Sequence, residues 1–177
     1  MNNKQRLVAM LIAPKDFRDE EYFQPKVMLE AVGIKVSTVA KGDPEEVTGI
    51  KGGKAHIDAK LEEINSLIYD GLILVGGKGS EIYFSNKEVH EIIRSMYKAN
   101  KIVAAICIAP VILAKAGILK NHKATVHQDG ISIFKNNGAE YIAKPLVIDG
   151  NIITAKDFTA AMSFGDAIAK KVKSLIK

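Results

Sequence analysis

Short apolar runs alternate along the chain with longer segments whose apolar residues recur at helical spacing. The two runs in the middle of the chain are almost wholly apolar, which is typical of strands covered on both faces in a parallel sheet. The alternation predicts an α/β fold in which a mostly parallel sheet lies between two layers of helices. The predicted strands are Arg6 to Ala13, Lys35 to Ala40, Asp70 to Gly77 and Lys101 to Cys107.

The intervening segments carry signals for the start or the end of a helix. Glycine is well suited to the left-handed residue that ends a helix, and Gly33, Gly117 and Gly138 end three of the predicted helices. Ser85 and Glu88 have the spacing of a capping box at the start of another. The predicted helices are Asp19 to Gly33, Ser85 to Asn100, Ala109 to Gly117, Ser132 to Gly138, and about Thr159 to Ile176.

Two further segments have the pattern of hairpins. Lys144 to Ala155 holds Asp149-Gly150 between apolar runs, which is a strong signal for a two-residue turn. Val47 to Asp58 is rich in glycine and alternates weakly, so it predicts a small hairpin or excursion from the sheet. Lys123 to His127 is expected to add one more strand.

Composition narrows the class of protein. The 177 residues suggest a single domain over residues 1–177, and 47% hydrophobic with 25% charged residues is ordinary for a soluble globular protein. The net charge of +5 comes mostly from scattered lysines without interleaved aromatic residues, so we expect no nucleic-acid partner. No apolar stretch is long enough to span a bilayer, and no signal peptide is evident, so we expect no membrane partner. The single cysteine fits a reducing compartment, and we expect a cytoplasmic protein.

That cysteine, Cys107, lies at the junction between a predicted strand and a predicted helix. Ala105 and Ala109 occupy the positions two residues away on each side, where a nucleophile elbow needs small side chains. Pro110 fits the first turn of the following helix. A thiol held at a helix N-terminus should have a lowered pKa, and the Ile108 amide could face a developing oxyanion. The alternative is a buried, unreactive cysteine.

Other residues with useful chemistry fall at the same rim of the predicted sheet. The loops after Ala13, Val75 and Ile106 all follow carboxyl ends of strands, where ligands bind in such sheets. Gly76-Gly77 could turn its amides toward a ligand or form a plain turn. Glu20 and Glu21 follow the first strand, and His127 ends the predicted strand after the elbow helix. Each of the three has a purely structural alternative.

Taken in order, several segments resemble the ThiJ/PfpI superfamily over nearly the whole chain. They are DFRDEEY, DGLILVGGKGS, VAAICIAPVILAKAGIL, KATVH and VIDGNIITA. The resemblance implies a flavodoxin-like three-layer sandwich with a mostly parallel central sheet and a cysteine nucleophile elbow. It also implies assembly into a homodimer or a larger homo-oligomer.

The resemblance also assigns roles to individual residues. Cys107 matches the family's nucleophile, and Glu21 matches the glutamate that hydrogen-bonds the sulfur, with Glu20 as the neighbouring alternative. The match requires that this carboxyl be protonated, because two anions in contact would repel. His127 matches a histidine near the sulfur in the deglycase branch of the family. Backbone amides are expected from Gly76, Gly77 and Ile108.

These roles imply a cofactor-independent cysteine enzyme, without a metal, that acts on small reactive carbonyls or glycated adducts in the manner of a glyoxalase III or deglycase. A stress-response protein that senses oxidants through Cys107, or acts as a chaperone, is the alternative. A cysteine peptidase or amidase is disfavoured, because Ile108 stands where the peptidase branch carries a histidine.

Overall fold

The computed structural model describes residues 5–175. Its helices are α1 (Asp19–Ala31), α2 (Lys87–Lys98), α3 (Pro110–Lys115), α4 (Ile131–Asn136) and α5 (Ala161–Ser174). None of the helices in this part of the chain is both long enough and apolar enough to cross a membrane. Its strands are β1 (Leu7–Leu11), β2 (Lys35–Val39), β3 (Glu46–Thr48), β4 (Lys54–His56), β5 (Gly71–Leu74), β6 (Ile102–Ile106), β7 (Lys123–Ala124), β8 (Glu140–Tyr141), β9 (Leu146–Asp149) and β10 (Ile152–Ala155).

The central sheet has six strands in the order β2-β1-β5-β6-β10-β9. All neighbours in it are parallel except β9, which runs antiparallel to β10 at one edge. The predicted α/β class with a mostly parallel sheet is therefore confirmed. Since β1, β5, β6 and β10 run in one direction, the loops that follow them lie together at the carboxyl-terminal ends of these strands.

Alternation of side chains explains why the inner strands are apolar throughout. In β1, Val8 and Met10 pack into the core on the face covered by α1 and α5. Ala9 and Leu11 point the other way, into the core that includes residues of α2, α3 and α4. Each strand thus needs apolar residues at consecutive positions, because both of its faces are buried.

Both predicted hairpins form. β9 and β10 pair on either side of Gly150, whose φ of 60° suits the tight turn, and Ile152 lies opposite Asp149. β3 and β4 form a separate two-stranded sheet. Asp19 holds its turn against α1, since its carboxylate accepts from the amides of Lys51 at 2.8 Å and Gly53 at 2.7 Å.

The predicted strand from Lys123 to His127 is shorter in the structure. It ends at Ala124, because the Thr125 amide donates to the side-chain hydroxyl of Thr154 instead of to a backbone carbonyl. His127 therefore lies beyond the strand, at the start of a 3-10 segment, Gln128–Gly130.

The predicted ends of two helices also differ from the structure. Asn86, and not Ser85, caps α2, because its side-chain oxygen accepts from the Val89 amide at 3.0 Å. The last helix, α5, begins at Ala161, two residues later than predicted, because Phe158–Ala160 form a 3-10 turn. The predicted end at Ile176 lies outside the described residues.

The cap assignment is testable with two adjacent substitutions. Asn86→Ala should lower the free energy of unfolding by about 1 kcal/mol, since it removes the acceptor for a helix amide. Ser85→Ala, on an exposed neighbour, is the matched control and should change it by less than about 0.5 kcal/mol. Urea denaturation of both variants measures the difference. A larger loss for Ser85→Ala than for Asn86→Ala would contradict the assignment.

Candidate active site

Cys107 follows β6 directly and adopts a left-handed backbone conformation, with φ of 64°. Its amide donates to the carbonyl of Ala155 at 2.9 Å, and its own carbonyl accepts from the amide of His127 at 2.8 Å. A non-glycine residue is strained in this region, so the two hydrogen bonds hold a turn that the chain would otherwise avoid. The sharp bend predicted at this cysteine is present.

Small side chains make room for the bend. Ala105 and Ala109 are fully buried on either side of it, and Pro110 starts α3, where no amide hydrogen is required. Ile108 packs toward Gly130. A Cβ added to Gly130 would lie 3.1 Å from the Cδ1 atom of Ile108. The Cys107 side chain remains partly exposed, so the sulfur is not sealed inside the protein.

Glu21 lies in the first turn of α1 and is fully buried. A Cβ placed on Gly76 would lie 2.5 Å from a Glu21 carboxyl oxygen and 2.7 Å from the Cys107 Cβ. Only glycine therefore lets the carboxyl and the cysteine approach each other across this strand end. Neither Glu21 oxygen has a hydrogen-bond partner of good geometry among the described residues. Even so, the Cys107 thiol and the Gly76 amide lie near enough to favour the carboxylate.

Burial governs the electrostatics of this pair. It raises the pKa of Glu21 to about 7, against the opposing effects of the Cys107 thiol and the Arg18 charge. Burial also raises the pKa of the Cys107 thiol, and the Glu21 carboxylate raises it further. The sequence-based expectation of a lowered thiol pKa is therefore wrong for the resting site, because loss of solvent outweighs the neighbouring amides.

The two groups nevertheless favour one negative charge between them. When Glu21 carries the proton, its charge no longer opposes the thiolate. The amides of Ile108 and Gly77 lie close enough to the sulfur to stabilise that thiolate. A proton can thus pass between the sulfur and the carboxyl without a second anion forming nearby.

Gly77 shapes the wall beside the sulfur. Its φ of 96° is poorly accessible to other residues, and a Cβ there would lie 2.6 Å from both the Arg18 nitrogen and the Asp16 carbonyl. The glycine pair is therefore required by conformation and by space. The Gly76 amide lowers the pKa of Glu21, and the Gly77 amide lowers the pKa of Cys107.

The pair opens into a cavity of about 420 Å³. His127 lines it, with its Nδ1 atom 3.3 Å from an Asp129 carboxylate oxygen. The structure thus brings five of the six sequence-predicted residues to one cavity wall, with Gly76 immediately behind them: Glu21, Gly77, Cys107, Ile108 and His127. Glu20 is excluded from the sulfur, because it is bonded to Arg18 and Lys51 instead.

Sequence reasoning missed several side chains on the same wall. Ile50 reaches it from the β3–β4 hairpin, and Phe158 from the loop after β10. The rule that loops after parallel strands form the ligand site could have identified Phe158, since β10 was predicted. It could not identify Ile50, which comes from outside the central sheet. The charged residues that were missed are Arg18, Lys78, Glu81, Asp129 and Asp157.

Metal binding has no obvious location in this part of the molecule. Across residues 5–175, no group of three or more histidine, cysteine, aspartate or glutamate side chains is close enough together to hold a metal ion.

Known proteins are similar to this chain in sequence and in fold. An uncharacterized protein of Methanocaldococcus jannaschii is 42% identical over 177 residues, covering 97% of this chain and 85% of that protein. Deglycase PfpI of Pyrococcus furiosus is 32% identical over 147 residues, covering 83% of this chain and 88% of the relative. The crystal structure of a ThiJ/PfpI domain protein from Brachyspira murdochii superposes with a TM-score of 0.92 at 27% identity, covering 95% of this chain and 96% of that one.

The resemblance noted in the sequence covers the segments that carry the candidate site. The family model for DJ-1/PfpI matches residues 6–171, which include the turn at Cys107 and the helix that carries Glu21. With this match and the two aligned relatives, the chain belongs to the DJ-1/PfpI family.

Proposed function

We propose that the protein is a cofactor-independent cysteine enzyme that acts on small reactive carbonyls or on the adducts they form with amines and thiols. The observation that carries the proposal is the buried Glu21 carboxyl against the Cys107 sulfur, with a pKa of about 7. A carboxyl whose pKa lies near neutral pH can both accept and donate a proton under physiological conditions.

The first step adds the sulfur to an aldehyde such as methylglyoxal. The Cys107 sulfur bonds to the aldehyde carbon while the Glu21 carboxylate takes the thiol proton. Glu21 then passes this proton to the former carbonyl oxygen, which gives a hemithioacetal and restores the carboxylate. The amides of Ile108 and Gly77 face the sulfur and are placed to stabilise charge that develops beside it.

The second step moves a proton between adjacent carbons. Glu21, again as carboxylate, takes a proton from the former aldehyde carbon and returns it to the neighbouring carbon. The hydroxyl proton moves to the neighbouring oxygen at the same stage, which leaves a thioester of an α-hydroxy acid. Water hydrolyses the thioester to lactate and restores the thiol. His127, which contacts Asp129, is the side chain we assign to assist that water. The net reaction is addition of water to methylglyoxal, so no oxidant or cofactor is needed.

Three observations support the substrate class. A cavity of about 420 Å³ lies in the range occupied by small-molecule sites. Ile108, in place of the histidine that the peptidase branch carries at this position, leaves a Cys–His pair of that kind unavailable. The relative from Pyrococcus furiosus is named a deglycase.

Removal of the sulfur tests the nucleophile. Cys107→Ala should lower kcat/KM for conversion of methylglyoxal to lactate by at least about 10³-fold, because no other group on the cavity wall can form the thioester. Lactate assay and thermal unfolding of both proteins separate lost chemistry from lost folding.

Undiminished turnover by Cys107→Ala would refute the proposed enzyme. If the wild type forms no lactate but gains two oxygen atoms on Cys107 after mild peroxide, by intact-mass analysis, an oxidant sensor is favoured instead.

The pH dependence tests the role of Glu21. Because its carboxylate must accept the thiol proton, kcat/KM should rise with pH and reach half its plateau near pH 7, the pKa of this carboxyl. Glu21→Gln should lower kcat/KM by about 10² to 10³-fold and remove the rise. A profile of the wild type that is flat between pH 5 and 9 would contradict this role.

The same carboxyl should make stability depend on pH. Its pKa is raised in the folded state from 4.5 to about 7, so the folded state binds more protons than the unfolded state between those values. The free energy of unfolding should therefore fall as pH rises, with this group contributing about 3 kcal/mol to the fall between pH 4 and pH 8.

Glu21→Gln cannot ionise and should lack that contribution. The difference between the two proteins, measured by urea denaturation at pH 4.5 and pH 8, isolates it from other titrating groups. Parallel stability profiles for the wild type and the variant would contradict the burial of an ionisable carboxyl.

A further inference from the structure

Arg18 occupies a special position at the start of α1. Its backbone amide donates to the Gly76 carbonyl at 3.1 Å, which ties it to the turn beside Glu21 and Cys107. Its side chain lines the same cavity as the sulfur. The mechanism proposed above gives its guanidinium no contact with the substrate.

The guanidinium is held in a fixed orientation. Its Nε atom donates to a Glu20 carboxylate oxygen at 2.8 Å, and its central carbon lies 4.3 Å from the centre of the Phe158 ring. One edge of the planar group is thus bonded and one face is stacked. A guanidinium restrained in this way loses little conformational freedom when it binds a ligand.

The other edge of the guanidinium has no protein partner within residues 5–175. Neither Nη atom of Arg18 takes part in a hydrogen bond there, and 26% of the side chain is exposed. Two parallel N–H groups on such an edge match the two oxygens of a carboxylate. No group within residues 5–175 supplies such a pair of oxygens.

The charged side chains in direct contact with Arg18 and its partner include two cations and one anion. Glu20 is shared between Arg18 and Lys51, so this group of three keeps a net positive charge. Four acids also line the cavity wall, and three of them have partners. Glu21 faces Cys107, Asp129 contacts His127, and Asp157 accepts from the Thr159 amide at 3.0 Å. Glu81 remains as a competing anion, opposed by Lys78 on the same segment.

We propose that Arg18 binds a carboxylate carried by the small substrate that reacts with Cys107, so that the site prefers anionic carbonyl compounds or adducts with a free carboxylate over neutral ones. The reaction in this statement rests on the proposed function, but the binding of a carboxylate near the sulfur does not. Phe158 and Glu20 hold the guanidinium in place, and its free edge meets the ligand.

Alkylation of Cys107 by two matched reagents tests the inference without any enzymatic turnover. Iodoacetate and iodoacetamide both form a bond between the sulfur and a methylene carbon, with loss of iodide and release of the thiol proton. They differ in that only iodoacetate carries a carboxylate. The ratio of their second-order rate constants, followed by intact-mass analysis, cancels any change in the reactivity of the thiol.

Arg18→Gln should lower the iodoacetate-to-iodoacetamide ratio by about tenfold relative to the wild type, as expected for loss of one well-aligned charged hydrogen-bonding partner. Arg18→Lys, which keeps the charge but not the planar fork, should give an intermediate ratio. Lys78→Gln is the matched control, because it removes another cation from the same wall, and its ratio should stay within threefold of the wild type.

A change of less than threefold for Arg18→Gln would overturn the inference, as would a wild-type Cys107 that neither reagent modifies. An equal drop for Lys78→Gln would also overturn it, because diffuse positive charge would then explain the preference. If Arg18→Gln lowers the ratio as expected but the wild type does not convert methylglyoxal, the carboxylate site is supported and the proposed function is refuted.

Discussion

The site depends on the burial of one carboxyl against one sulfur. Glu21 has no solvent contact and no well-formed hydrogen bond in the described part of the chain, which is costly for a charged group in a protein interior. The cost is tolerated because the carboxyl can take a proton near neutral pH, and Cys107 is the group beside it that can exchange one. The protonation state of each residue therefore affects the pKa of the other.

Backbone geometry keeps the two residues together. The positive φ of Cys107 lifts the sulfur out of the strand, and the missing side chain at Gly76 opens the gap that Glu21 fills. Ala105 and Ala109 keep the bend free of bulk on both sides. The approach of Glu21 to Cys107 therefore depends on small residues at these three positions, because larger side chains would fill the space.

Local patterns in the sequence were sufficient for much of this arrangement. Continuous apolar runs identified the inner strands, and Asp149-Gly150 identified a hairpin, because both signals arise from neighbouring residues. Alanines around Cys107 identified the tight turn for the same reason. The end of β7 at Ala124 was not predictable, because it depends on the hydroxyl of Thr154 from a distant strand.

Other failures share that origin. The pKa of the Cys107 thiol was expected to fall, since the helix that follows it is visible in the sequence, whereas the burial and the carboxyl that raise it come from folding. Arg18 lay within a recognised motif, but nothing local shows that Phe158, 140 residues later, covers one face of its guanidinium.

The loop that carries Phe158 has a consequence for how such a site diversifies. Beside the reacting pair, Gly76 and Gly77 leave no room for even a Cβ atom, so that part of the molecule is closed to gradual change. Phe158 lies in a 3-10 turn and is 41% exposed, and Ile50 lies in the peripheral β3–β4 hairpin and is 47% exposed. Neither residue belongs to a strand of the central sheet, so replacing them leaves those strands unchanged. Selectivity in this scaffold can therefore drift from one ligand to another while the chemistry beneath it is inherited intact.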